Sequence, residues 1–414
     1  MVLDLYREEA RRENLLPAIS TVLLFYRRAL ITAIHSWTGI PSSLLIVVIC
    51  GVAFILFLAW AFMQGRIVIK PPVMLLAAMG ILYGISLSFA PNENGQEFAK
   101  EFLSYCVPTA FIFSYVEDEE QFTRVYCRLS LFVFAICAPI PFLSGTLKYL
   151  DMGYFASGMT YGEWVMTPCF VGLYLLYKRY GKAWVMPLWV ICLGITALYA
   201  NRSSLLSNLC FMALYELFVE GRREKKVIFK WIFILVAVMM MITYLADILV
   251  FLQDQILTPA GFRSRALRKY IAMLQTDSAE VNASYLLSGR DKANARAMEF
   301  FLESPIFGIG VGTYGIRTTL PYTHNIVTDA VTTFGLPAGL LILFVTGAAI
   351  VRCFRCGYEP RKVALFTILI QCFPRLLFSK TFVNDVAFWM LLVYAFIQKE
   401  DEDDEPDELT ELIK

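Results

Sequence analysis

Apolar residues in this chain run in long unbroken blocks separated by short polar connections. They show neither the alternation of a half-buried strand nor the single stripe of a helix on a soluble surface. Blocks fall at 43–64, 72–90, 102–116, 125–144, 161–178, 183–200, 203–219, 227–252, 324–351, 362–379 and 383–397. A helix needs ~20 apolar residues to cross the hydrocarbon layer, so these eleven blocks predict membrane-spanning helices. The segment Leu15–Ile34 is apolar too, but it would carry Arg27 and Arg28 at mid-membrane, where each charge costs at least ~2.5 kcal/mol on insertion scales. It either spans or lies flat.

The placement of cations chooses between these alternatives. Lys and Arg gather at Lys178, Arg179 and Lys182, at Arg222–Lys226, and from Arg352 to Lys362; short loops rich in them stay in the cytoplasm. Both chain ends then lie inside only if 15–34 crosses, giving a preferred count of about twelve spans. The same alternation puts Arg202 at an outer helix end and the polar region 253–323 outside. The expected organisation is N-terminal transmembrane helices over 1–252, an extracytoplasmic loop with short helices over 253–323, C-terminal transmembrane helices over 324–398, and an acidic cytoplasmic tail over 399–414. Within the loop, Ser288 and Asp291 read as a capping box, and Ala293, Ala297, Phe300 and Phe301 mark a helix ending near Glu303, before Pro305.

Composition agrees: 58% of the 414 residues are hydrophobic and 17% charged, against about half and a quarter in soluble domains. The fold class expected is an all-α polytopic integral membrane protein. The polar first fourteen residues give no expectation of a cleavable signal peptide. Ten cysteines lie in apolar blocks or one basic loop, which suggests no disulfide framework. Cys353 and Cys356 form a lone pair with no nearby histidine, so neither a metal site nor a cofactor is expected there. No nucleic-acid partner is expected; membrane lipids are.

Of two histidines, only His324 sits at the outer edge of a span. A neutral imidazole there can accept a proton from an attacking hydroxyl, or simply hydrogen-bond a backbone carbonyl at the interface. Arg202 either meets an anion or snorkels to headgroups. Arg290 opens a predicted helix, where the macrodipole disfavours a cation unless an anion binds alongside it; the other reading is a surface pair with Asp291. Arg265 and Arg268 belong to a basic run that could guide an anionic lipid or lie on headgroups. Arg375, inside a late span, either faces the same cavity or pairs with Asp385, Asp329 or Asp247. Tyr314 and Tyr322 could stack on sugars or belong to an interfacial aromatic belt. Gly308, Gly310, Gly312 and Gly315 permit tight turns without the Lys-Ser/Thr ending of a phosphate-binding loop.

The stretch from Ser288 to Gly339 resembles the signature region of the O-antigen ligase and polymerase superfamily. The resembling elements are Ser288-Gly289-Arg290, Pro305 leading to Gly308, Gly310 and Gly312, and His324-Asn325 followed after ten intervening residues by Gly335; Arg202 with Leu206 resembles its second signature. Ala338 departs from the usual pattern at its position. The resemblance implies a bacterial inner-membrane glycosyltransferase acting in cell-surface polysaccharide or lipopolysaccharide assembly. It would move a glycan from undecaprenyl diphosphate to a glycan or lipid acceptor hydroxyl on the outer side, without metal and with inversion. His324 would act as base, Arg202 and Arg290 would hold the diphosphate, and Asn325 would orient His324. Arg265 with Arg268, or Arg375, would supply a second site if the chain is a polymerase. The alternative is a transporter of lipid-linked glycans lacking transferase activity, which would be expected to show paired broken helices or inverted repeats; none is visible in the sequence.

Overall fold

The computed structural model describes residues 2–65, 67–140, 161–198, 202–220, 290–318, 320, 322–378 and 380–397, with a few isolated positions between 250 and 271; at 2–14, 197, 198, 202, 290 and 291 it describes backbone alone. Among these residues it is all-helical, without a strand. In chain order the principal helices are α1 (Val2–Thr38), α2 (Ser42–Gln64), α3 (Met74–Phe89), α4 (Glu93–Glu101), α5 (Val107–Phe113), α6 (Glu119–Cys137), α7 (Thr167–Lys178), α8 (Met186–Leu198), α9 (Arg202–Tyr215), α10 (Arg290–Glu303), α11 (Thr313–Arg317), α12 (Ile326–Arg355), α13 (Glu359–Phe378) and α14 (Val386–Ala395). Wider π-turns lead into α5 at Phe102–Cys106 and into α7 at Gly162–Met166, and another follows α9 at Glu216–Glu220.

Four helical segments among the described residues are long and apolar enough to cross a membrane: Leu15–Thr38, Ser42–Gln64, Pro71–Phe89 and Ile326–Arg355. Three of them turn large apolar side chains outward, including Ile55 and Phe62 of α2, Ile81 and Phe89 of α3, and Leu341 and Phe344 of α12, all exposed. In water such surface would drive association; against lipid tails it carries no penalty. The predicted blocks at 102–116, 125–144, 161–178, 183–200, 203–219, 362–379 and 383–397 also form helices, but these are shorter, interrupted by π-turns, or charged at one end. The block at 227–252 and the tail lie almost wholly outside the described residues.

Helix α1 runs through the bundle, packed against α2, α5 and α6. The insertion penalty that argued against it applies to lipid-facing charge, and both arginines are drawn onto aromatic rings of other segments. Arg27 is buried, stacked 4.0 Å from the Tyr105 ring, and Arg28 lies 4.3 Å from the ring of Trp164.

Polar contacts gather at two poles. At one, Arg179 bridges Glu120 and Glu359, Lys178 reaches Glu216 and Glu220, and Tyr394 donates to Glu119. These residues come from the start of α6, the end of α7, the turn after α9, the start of α13 and the end of α14. At the other pole lie the opposite ends of the same helices. The chain therefore crosses the body repeatedly, and both cation-rich connections in the described residues, 178–182 and 352–362, fall at the first pole.

Candidate functional site

The second pole is assembled around a break in α12. Gly335 has φ 76° inside that helix, a conformation open mainly to glycine, and a Cβ there would sit 2.0 Å from the Ile306 carbonyl oxygen. Two residues on, Pro337 has no N–H to give the Thr333 carbonyl. The carbonyls left open are taken by the glycine-rich turn: Ile309 donates to Thr332 O at 2.9 Å and Gly310 to Thr333 O at 3.0 Å, while Leu336 N–H turns to Pro305 O at 2.7 Å. The same turn is fastened to α3 by Val311 N–H on Ser86 Oγ and to the cap of α4 by Asn92 on Val311 O, both 2.8 Å. Gly308 and Gly310 thus close a helix break, with their amides turned to the backbone carbonyls of Ser304 and Thr333.

This packing holds the start of α12 in place. Asn325 caps the helix, its Oδ1 accepting from Val327 N–H at 2.8 Å, so its side chain serves the helix start. His324 has φ 64°, the only positive value at a non-glycine among the described residues, a position that such a residue holds only when its surroundings impose it. Asp329, buried one turn on, accepts from Thr381 Oγ at 2.5 Å and is within hydrogen-bonding reach of Thr323. These bonds tie the His324 turn to the connection between α13 and α14. The ring of Tyr322 meets His324 edge-on at 4.6 Å.

Tyr322 also lines a cavity of about 320 Å³ with Arg28, Asn94, Glu97, Glu101, Trp164 and Lys380 among its walls. Three cations converge on Trp164: Lys380 at 3.8 Å, Arg28 at 4.3 Å and Arg375 at 4.5 Å from the ring. Indole is the aromatic best suited to this contact, which strengthens when desolvated. Asp385, fully buried, pairs with Lys380 at 3.0 Å and Arg375 at 3.4 Å, and Glu101 pairs with Arg28 at 3.5 Å. Burial pushes the Lys380 ammonium down to about 8, with the Asp385 carboxylate acting in the opposite direction. Burial, reinforced by Glu163 and Asp329, pushes the Tyr322 hydroxyl up to about 12, so it remains a protonated donor at ambient pH.

The sequence-derived candidates distribute unevenly. His324 stands beside the cavity through Tyr322, and of the alternatives for Arg375 the structure takes pairing with Asp385 while placing it against the cavity's Trp164. Tyr314 is elsewhere: it is buried against Phe300 and donates to Ala293 O at 3.0 Å, so it packs α11 on α10 instead of presenting a face to a sugar. The side chains of Arg202 and Arg290, and residues 265 and 268, lie outside the described residues, as does the capping box at Ser288. Their helices are placed, however. Ser203, next to Arg202, donates to Glu163 at 3.0 Å at the cavity wall. Near the start of α10, Asn294 meets Thr328, one turn after His324.

Reasoning from sequence missed Arg28, Glu101, Glu163 and Trp164. An intramembrane charge is a site signal in itself, which would have found Arg28. Nothing in the local pattern marks Glu163-Trp164, which reach the cavity from a π-turn. No protein-family model matches the chain, and no curated protein does.

Proposed function

We propose that this protein is a bacterial cytoplasmic-membrane glycosyltransferase of about twelve spans, with the second pole outward, moving a glycan from a polyprenyl diphosphate to an acceptor hydroxyl. The observation that carries the reading is His324, held in a left-handed turn at the edge of a cavity where Arg28, Lys380 and Arg375 surround Trp164. Supporting it, the cation-rich connections 178–182 and 352–362 cluster at the opposite pole, which the positive-inside rule assigns to the cytoplasm.

In this mechanism the imidazole of His324 takes the proton of the acceptor hydroxyl as its oxygen attacks the anomeric carbon. The bond to the diphosphate oxygen breaks, its electron pair leaves with the phosphate, and the configuration inverts. Arg202 and Arg290 neutralise the departing charge. Preorganised cations are the larger contribution, worth several kcal/mol, against typically ~10²–10⁴-fold for a positioned base.

The test is transfer by purified protein in liposomes containing the lipid-diphosphate repeat unit. His324→Ala should abolish or severely reduce transfer with the protein still folded and in the membrane, and wild type should keep its activity in excess EDTA. Full activity of His324→Ala removes the proposed base; activity lost in EDTA and restored by magnesium assigns the diphosphate to a cation. Chains lengthening on the lipid itself indicate a polymerase, the branch we favour from the departure at Ala338. Transfer only to an added lipid A core indicates a ligase.

A further inference from the structure

The charges around the cavity indicate what it takes up. Arg28 and Lys380 line it together with Glu97, Glu101 and Glu163, and Arg375 sits behind Trp164 paired with Asp385. Three named cations therefore stand among four carboxylates. A diphosphate needs a surplus of positive charge and would meet three carboxylates in the walls. A polyamine would meet Arg28 and Lys380. An apolar group would strip water from five charged side chains and two amides without replacing a hydrogen bond.

A neutral polyhydroxylated ring meets none of these penalties. Its hydroxyls can donate to Glu97, Glu101 and Glu163, accept from Arg28 and Lys380, and do both with the amides of Asn94 and Asn384. Phe98 and Tyr322 supply the apolar wall that the C–H face of such a ring requires. The volume of about 320 Å³ holds roughly ten waters at about 30 Å³ each, the scale of a sugar unit with its hydration and far below that of a glycan chain.

We infer that this cavity is a sugar subsite that grips an uncharged unit of the glycan through Glu97, Glu163, Arg28 and Lys380, and that the diphosphate is held outside it. The assignment rests on the glycosyl-transfer reading for its setting, but binding of a free saccharide can be measured without transfer.

The experiment uses full-length protein in nanodiscs, titrated with the reducing oligosaccharide released by mild acid from the cells' own lipid-linked pool. Pyrophosphate and spermidine at matched ionic strength serve as charged controls. Binding is read from intrinsic tryptophan emission and from protection of an Asn384→Cys variant against a water-soluble maleimide. The saccharide should bind saturably, and about tenfold more weakly to Glu163→Gln, the loss expected for one hydrogen bond to a charged group. Glu97→Gln, on an exposed side chain that tolerates substitution, should weaken it in the same direction. Saccharide binding by a protein that transfers nothing would sustain the subsite while removing the enzyme reading. Tighter protection by pyrophosphate than by saccharide, or saccharide binding unchanged in both glutamine variants, overturns the assignment.

Discussion

Removing the charge of Asp385 should be among the most damaging single changes in the described part of the molecule. Its carboxylate is fully buried, pairs with Lys380 at 3.0 Å and Arg375 at 3.4 Å, and accepts from Phe388 N–H at 3.0 Å as the cap of α14. Asp385→Asn keeps an oxygen for the cap and deletes the charge, leaving two buried cations without their counterion. Breaking a buried pair in this way costs about 3–5 kcal/mol. Asp385→Ala also loses the cap, adding about 1 kcal/mol. The assay is the apparent unfolding midpoint of purified protein at fixed detergent concentration and scan rate, since unfolding of such a protein is governed by rate. A fall of at least ~5 °C for Asp385→Asn is expected, larger for Asp385→Ala. Adding Arg375→Met and Lys380→Met to Asp385→Asn should recover much of the loss, because the penalty lies in the stranded cations and apolar replacements of a buried ion cluster are often neutral. A midpoint unchanged in Asp385→Asn, or a triple variant no better than the single one, refutes this account of the second pole.

Three further outcomes follow from other parts of the fold. Gly335→Ala should destabilise by a few kcal/mol, read by the same midpoint, since the left-handed backbone costs roughly 1–2 kcal/mol and the new methyl meets the Ile306 carbonyl at 2.0 Å; wild-type stability would show that the break can rearrange. At the first pole, burial tends to raise the Glu120 carboxyl, but hydrogen bonding and charge from Arg179 outweigh it and hold it below its ordinary value. A depressed folded value gives stability that is present above the unfolded value, ~4.3, and lost as pH falls through the folded one, so Glu120→Gln should flatten the acid limb of a stability–pH curve, and an unchanged limb would count against the pair. Lys292→Cys, exposed on α10, should react in a background free of other reactive thiols with an impermeant maleimide on intact spheroplasts; labelling only after permeabilisation reverses the topology.

The apolar blocks determined by themselves that the described chain is helical, and where many of its helices lie, because a backbone surrounded by lipid must satisfy its hydrogen bonds within each segment. The boundaries of α2, α3 and α10 were readable from block ends and from Pro305. The break at Gly335 lies inside the block 324–351, which reads in sequence as one continuous span; there Pro337 leaves carbonyls that some other stretch of backbone must cover. What covers them, the turn at Ile309 and Gly310, was decided only by tertiary packing. The same holds for the site. His324 was visible because histidine is rare here and stands at a span edge. Arg28 read as an obstacle to insertion, and became a cavity wall only once α1 was packed with that face inward. Trp164 and Lys380 are more than two hundred residues apart in sequence, and a cation finds an indole across that distance through the fold alone. Local pattern sets which backbone groups are satisfied within a segment; charge pairing between segments depends on which faces meet, and periodicity does not encode that.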